Sequence, residues 1–110
     1  MPLSEKARIE VYIPDLPQQT YQNLLNALAQ EFTYTFGGST IIRGLDGSYL
    51  SRPGVRMQDR VHLIYTDTPF ALAANFENIS RYTDALREAA FEALTEEAIL
   101  VVVLQVYHAE

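Results

Sequence analysis

Six consecutive apolar residues near the C-terminal end constrain this chain more than any other feature. They are Ile99 to Leu104, inside the stretch ILVVVLQVY (99–107). Branched residues at that density read as a strand. A strand that is apolar on both sides needs cover on both sides. Helices of the same chain can cover one side of a sheet, and the other side then calls for a second partner.

The rest of the sequence supplies the sheet and the helices. Residues 7–13 (ARIEVYI) alternate, with Ile9, Val11 and Ile13 on one side and Arg8, Glu10 and Tyr12 on the other, which is the period of a half-buried strand. Pro14 ends it, since proline has no amide hydrogen for the ladder. Asp15 stands where a helix N-cap belongs, with Pro17 in the first turn. Tyr21, Leu24, Leu25, Leu28 and Phe32 then recur at helical spacing, predicting an amphipathic helix over 16–32. Residues 39–43 (STIIR) read as a strand. Asp46-Gly47 signals a tight turn, with 48–50 pairing back or continuing the sheet edge, and Pro53-Gly54 signals a loop running to Gln58.

Residues 60–66 (RVHLIYT) alternate again. Val61, Leu63 and Tyr65 form the more apolar set and are assigned to the core; Arg60, His62, Ile64 and Thr66 are assigned to the open face. A short helical turn is expected within 68–77, a segment that reads as either a lid or a connector over 70–76. A second helix follows, with a stripe of Ile79, Tyr82, Leu86, Ala89, Ala90, Ala93 and Leu94. Glu96-Glu97 sits unfavourably for a helix C-terminus.

The order β-α-β-β-α-β, with a hairpin joining two halves, predicts a single α+β domain over 1–110. Its class is the ferredoxin-like sandwich, a four-stranded antiparallel sheet with two helices on one face. A bare apolar strip on the other face predicts a homo-oligomer, dimer or trimer, formed through that open face.

Composition excludes several kinds of chemistry. The 110 residues include no cysteine, so thiolate metal sites and cysteine nucleophiles are ruled out. His62 and His108 lie far apart and lack zinc spacing, and no cofactor is implied. Residues 98–104 form the longest apolar run, far short of the ~20 that a membrane span needs. The first ten residues carry no signal-peptide pattern. A cytoplasmic protein with no membrane partner is the expectation.

A net charge of −6 argues against nucleic acid. RNA binding through the open sheet would need aromatic platforms amid positive charge, whereas Tyr12 here stands beside Glu10. The charge is uneven, however. Residues 43–60 hold four of the eight basic side chains against two acids. Arg43, Arg52, Arg56 and Arg60 would offer fork-shaped donors to a carboxylate or phosphate, with Tyr49 closing over it. The competing reading pairs these arginines with nearby acids.

No nucleophile elbow, phosphate loop, paired carboxylates or metal-ligand spacing is present. The chain therefore reads as a binding or regulatory module that holds a small anionic ligand or docks a protein near the hairpin. The alternative is a small cofactor-free enzyme of the dimeric α+β barrel type. In it, His62 would be the acid/base, with Tyr12 on the same face and Asp67 near the strand end.

One stretch bears a family likeness. Gly38-Ser39-Thr40-Ile41-Ile42-Arg43-Gly44-Leu45-Asp46-Gly47 resembles the segment of PII-like signalling proteins that enters their glycine-marked hairpin, and 100–107 is similar to their last strand. The layout also resembles small bacterial ferredoxin-like domain proteins. The resemblance implies a ligand- or partner-contacting hairpin. No nucleotide site maps onto particular residues here.

Overall fold

A computed structural model describes residues 2–50, 56–94 and 99–110, and the backbone alone at 48–50 and 56–59. The elements are β1 (Leu3–Pro14), α1 (Gln19–Phe36), β2 (Thr40–Leu50), β3 (Arg56–Asp67), a 3-10 turn (Ala73–Asn75), α2 (Phe76–Leu94) and β4 (Leu100–Ala109). The sheet order is β2-β3-β1-β4 with all neighbours antiparallel. This is the expected ferredoxin-like arrangement.

Both helices bury their apolar stripes on one side of the sheet. Tyr21, Leu24, Leu25, Leu28 and Phe32 of α1 are all buried, as the spacing predicts. From α2, Ile79, Ala90 and Leu94 are buried while Tyr82 and Leu86 are half-buried against the same core. Ala89 and Ala93, assigned to that stripe from sequence, are exposed. The Tyr82 hydroxyl donates to Glu31 Oε2 at 2.7 Å across the two helices. Burial, reinforced by that carboxylate, pushes the Tyr82 phenol up from its ordinary range.

Four local expectations are corrected. Asp15 is not the N-cap: α1 starts at Gln19 after Gln18, which makes no side-chain cap. Nor is Asp46-Gly47 a turn, since both residues pair across the ladder, with Arg60 and Asp59. Gln58 belongs to β3 rather than to a loop. Pro53-Gly54 and Glu96-Glu97 lie outside the described residues. The connector after β3 is fixed rather than lid-like at its start: the Thr68 N–H donates to the Ala7 carbonyl at 2.9 Å, and the Ala7 N–H donates to Phe70 O at 2.8 Å.

The fourth correction reverses a face. Residues directly opposite in an antiparallel pair share one side of the sheet. Ile9, Val11 and Ile13 oppose Thr66, Ile64 and His62, so β3 turns its more polar set towards the helices. Val61, Leu63 and Tyr65 lie on the open face. Alternation alone favoured the opposite assignment because the apolar residues are more numerous there. Internal partners make the observed one possible. The Thr66 hydroxyl donates to the Gly38 carbonyl at 2.7 Å, and His62 takes a backbone amide described below. A buried polar group with a partner avoids the desolvation penalty that would otherwise expel it.

The open face is correspondingly apolar. Ile42, Tyr65, Leu100, Val102 and Leu104 lie on it with Arg8, Glu10 and Tyr12 of β1 between them; Ile42 is 40% and Leu100 58% exposed, whereas Leu63 on the same side is buried. At one corner β2 and β3 stay paired beyond Pro14, where β1 stops. At the opposite corner β1 and β4 stay paired beyond Arg8, where β3 stops. No helix among the described residues is long and apolar enough to cross a membrane.

Candidate functional site

The β2–β3 ribbon is kinked where it leaves the body of the sheet. Ile42 opposes Leu63 and Leu45 opposes Val61, so Arg43 and Gly44 together face the single residue His62. That is a β-bulge, which frees one backbone amide from the ladder and re-aims it. Gly44 sits in the left-handed region at φ 69, where an L side chain is strained. A Cβ there would also lie 2.5 Å from Arg60 Nη2. Glycine thus satisfies two demands at once. The Arg60 guanidinium lies across it.

The freed Gly44 N–H donates to His62 Nδ1 at 3.1 Å. On the other side of the ring, Nε2 lies 3.1 Å from Asp15 Oδ1. A neutral imidazole has one acceptor nitrogen and one N–H. With Nδ1 accepting, the hydrogen belongs on Nε2, facing the carboxylate. Asp15 is placed by its own backbone, which continues the β1–β3 pairing by donating to the Arg60 carbonyl at 2.8 Å. This explains why it is not available to cap α1.

A second cluster occupies the far end of β3, on the open face. Arg8 grips Asp67 with two bonds, Nε to Oδ1 at 2.6 Å and Nη2 to Oδ2 at 3.0 Å. His108 Nε2 reaches the same Oδ2 at 2.8 Å. The Arg8 guanidinium stacks over Tyr65 at 4.2 Å. The Arg8 bond holds the Asp67 carboxyl below its usual range against the opposing effect of burial, with His108 adding to the depression. Nearby, the Tyr12 hydroxyl donates to Glu10 at 3.1 Å, and burial followed by that carboxylate raises its phenol above the ordinary value. Tyr12 therefore keeps its proton at neutral pH.

The residues singled out from sequence are partly gathered and partly separated. Arg43 is one of the two bulge residues, and the Arg60 guanidinium lies against the other, Gly44. Arg43 is exposed, and among the described residues it makes no ion pair. Arg60 Nε stands 3.9 Å from Asp46 Oδ1 with both side chains well exposed, a contact worth little in water. Tyr49 and Arg56 lie on the paired backbone of the ribbon, opposite Met57 and Leu50, and their side chains lie outside the described residues, as does Arg52 altogether. His62 and Tyr12 are on opposite faces, which corrects the shared face assigned to them. Asp67 is five positions along β3 from His62, about 17 Å away at strand rise. The three do not form one site.

Asp15, Gly44, Arg8 and His108 were not assigned to a site from sequence. The arginine-glycine step inside a branched strand was the one available signal for the bulge. Two other hollows suit an anion poorly. The cleft of 230 Å³ between the helices is lined by Phe36, Phe70, Tyr82 and neighbours with no charged side chain among them. The hollow of 360 Å³ beside Gly37 and Gly38 includes the Asp67 carboxylate.

These features define a ferredoxin-like α+β protein, and the same fold recurs in solved structures. A divalent cation tolerance protein, CutA1, from Thermus thermophilus superposes with a TM-score of 0.61 at 16% identity, covering 96% of this chain and 87% of that one. A phage SAM lyase in complex with S-methyl-5'-thioadenosine gives 0.58 at 13% identity, covering 94% and 90%. A nitrogen regulatory PII-like protein from Thiomonas intermedia gives 0.49 at 14% identity, covering 99% and 98%, a score too low to argue from. Identities this small show the fold alone. No protein-family model matches the chain, and no curated protein matches it by sequence.

Proposed function

We propose that the chain is a cytoplasmic homo-oligomeric binding module whose copies, two or three, cover one another's open sheet face and which holds a small anion at the β2 bulge. The observation that carries the reading is Arg43, exposed and without an ion pair among the described residues, beside a glycine over which the Arg60 guanidinium lies. Two fork-shaped donors on a kinked ribbon suit a carboxylate, sulfate or phosphate group. Tyr49 and Arg56 lie on the backbone of the same ribbon, and together with Arg52, between them in sequence, they complete the proposed ligand set. The resemblance of residues 38–47 to the PII-like hairpin supports this choice of ribbon.

Assembly rests on the open face. Apolar side chains from β2, β3 and β4 flank a central strand that carries Arg8, Glu10 and Tyr12 on this face, and an apolar strip of this kind on β4 is unusual on a monomer. The observed register makes the face more apolar than sequence alternation suggested.

Inorganic sulfate, titrated into the labelled chain and followed by amide shifts, tests the ligand site. The expected result is saturable shifts at Arg43, Gly44 and Leu45, lost in Arg43→Gln combined with Arg60→Gln. Shifts elsewhere, or none, overturn it. Light scattering at two protein concentrations tests assembly, and a monomer at both rejects the oligomer.

A further inference from the structure

We propose that His62 is a proton-operated latch on the β2 bulge: the neutral ring holds the Gly44 amide, and the protonated ring releases it. Its effect on anion binding rests on the reading of the bulge as the ligand site. The latch itself does not.

The geometry leaves little freedom. The ring is buried, so water does not stand in for a lost partner. As neutral imidazole it accepts the Gly44 N–H at Nδ1 while Nε2 faces Asp15. A second proton can go only to Nδ1, where it meets the Gly44 N–H head-on at 3.1 Å. Two donors do not bond, and the half-buried Gly44 amide loses its acceptor. The conflict therefore falls on the bulge.

The proton also has a reason to arrive. Asp15 Oδ1 stands 3.1 Å from Nε2, so a charged ring has a carboxylate partner on that side. Every element around the ring enters this balance. The β1–α1 connection contributes Asp15. β2 contributes the Gly44 amide with Arg43 and Asp46 flanking it, and β3 contributes Arg60 two residues away. α1 has no acid in its first turn, and Tyr21 is the titratable side chain among its buried residues. The Asp15 carboxylate faces one ring nitrogen and the Gly44 amide the other, so the two nitrogens meet groups of opposite demand.

The moving part is equally local. Glycine is the residue that changes φ at least cost, and the bulge is already outside the regular ladder. Release of the Gly44 amide removes the platform under the Arg60 guanidinium and shifts the adjoining Arg43. Histidine is the side chain whose charge changes between about pH 5 and pH 8.

The test follows the Gly44 amide and the His62 ring nitrogens by NMR from about pH 8 to about pH 5, without ligand. The expected result is one transition shared by both, with Gly44 exchange protection falling about tenfold or more after correction for intrinsic rates, while Val11 in the sheet centre is unmoved. In His62→Asn, whose side-chain oxygen takes the place of Nδ1, the Gly44 transition disappears. Should that variant not fold, the coincidence of the two midpoints in the unaltered chain decides alone. A ring that protonates while Gly44 stays still overturns the latch, as does a ring that stays neutral throughout or a Gly44 transition that survives in His62→Asn.

Sulfate, which keeps its charge over this range, separates the two proposals. Gained positive charge alone would strengthen sulfate binding at low pH. The latch predicts the opposite sign, a weakening of about threefold or more, absent in His62→Asn. A rise or a flat profile overturns the coupling. No sulfate binding at either pH, with the Gly44 transition intact, overturns the ligand site and leaves the latch standing.

Discussion

Two histidine–aspartate contacts sit at the middle and at the C-terminal end of β3, on opposite faces of the sheet. His62 lies 3.1 Å from Asp15 on the helix side, and His108 lies 2.8 Å from Asp67 on the open side. Their burial is inverted. In the first the imidazole side chain is 7% exposed and the carboxylate 32%; in the second the values are 40% and 16%. The third partner differs as well. His62 uses its other nitrogen to hold a backbone amide, whereas Asp67 is already gripped twice by Arg8. The same residue pair is thus joined to backbone geometry in one place and to a side-chain clamp in the other. What each contact does depends on the third group more than on the pair.

His62→Leu is the sharpest way to break the comparison. It preserves bulk but strands the Gly44 amide and leaves Asp15 against an apolar group, for an expected loss of about 3 kcal/mol in urea unfolding. Arg8→Met attacks the other contact. Asp67 then keeps only His108, and the expected cost is about 2 kcal/mol at neutral pH.

The Arg8 variant also has a pH signature. The folded chain holds the Asp67 carboxyl below its ordinary value, so its stability contribution is complete above the unfolded value of about 4. It is lost as pH falls through the depressed folded value. The gap between the unaltered chain and Arg8→Met should therefore be constant near neutrality and close below about pH 4. A gap that persists undiminished in acid would show that Arg8 acts through its packing on Tyr65.

Gly44→Ala should cost about 1–2 kcal/mol from the left-handed backbone alone. It should also displace Arg60, and so abolish sulfate shifts at the bulge even where the fold survives. The mildest change is His108→Ala, expected to cost below about 1 kcal/mol, because its ring is partly in water and Asp67 keeps both Arg8 bonds. A loss as large as that of His62→Leu would erase the distinction between the two contacts.

Much of the architecture was readable in advance. The α1 stripe from Tyr21 to Phe32 is buried as its spacing requires. Ile9, Val11 and Ile13 form the sheet's contribution to the core, and the order of elements follows from where alternation gives way to helical period. Those signals are local, since each depends on neighbours within a few residues. The candidate site was less legible. Arg43 and Arg60 were recognisable as a basic ribbon, but nothing in the letters distinguished a tight turn at Asp46-Gly47 from a bulge two residues earlier at Gly44.

The face of β3 shows where local reading ends. Residues 61–66 contain apolar side chains at both parities, so period-2 counting had to choose and chose the larger set. Tertiary structure chose the other, because the carbonyl of Gly38, the amide of Gly44 and the carboxylate of Asp15 come from distant parts of the chain and make Thr66 and His62 acceptable inside. The sequence by itself determined which segments are strands and helices and which side of α1 and β1 is buried, since a repeating pattern of apolar residues encodes both. Only the tertiary structure decided which groups meet His62 and Asp67, because strand register and a single inserted residue are set by pairing between segments far apart.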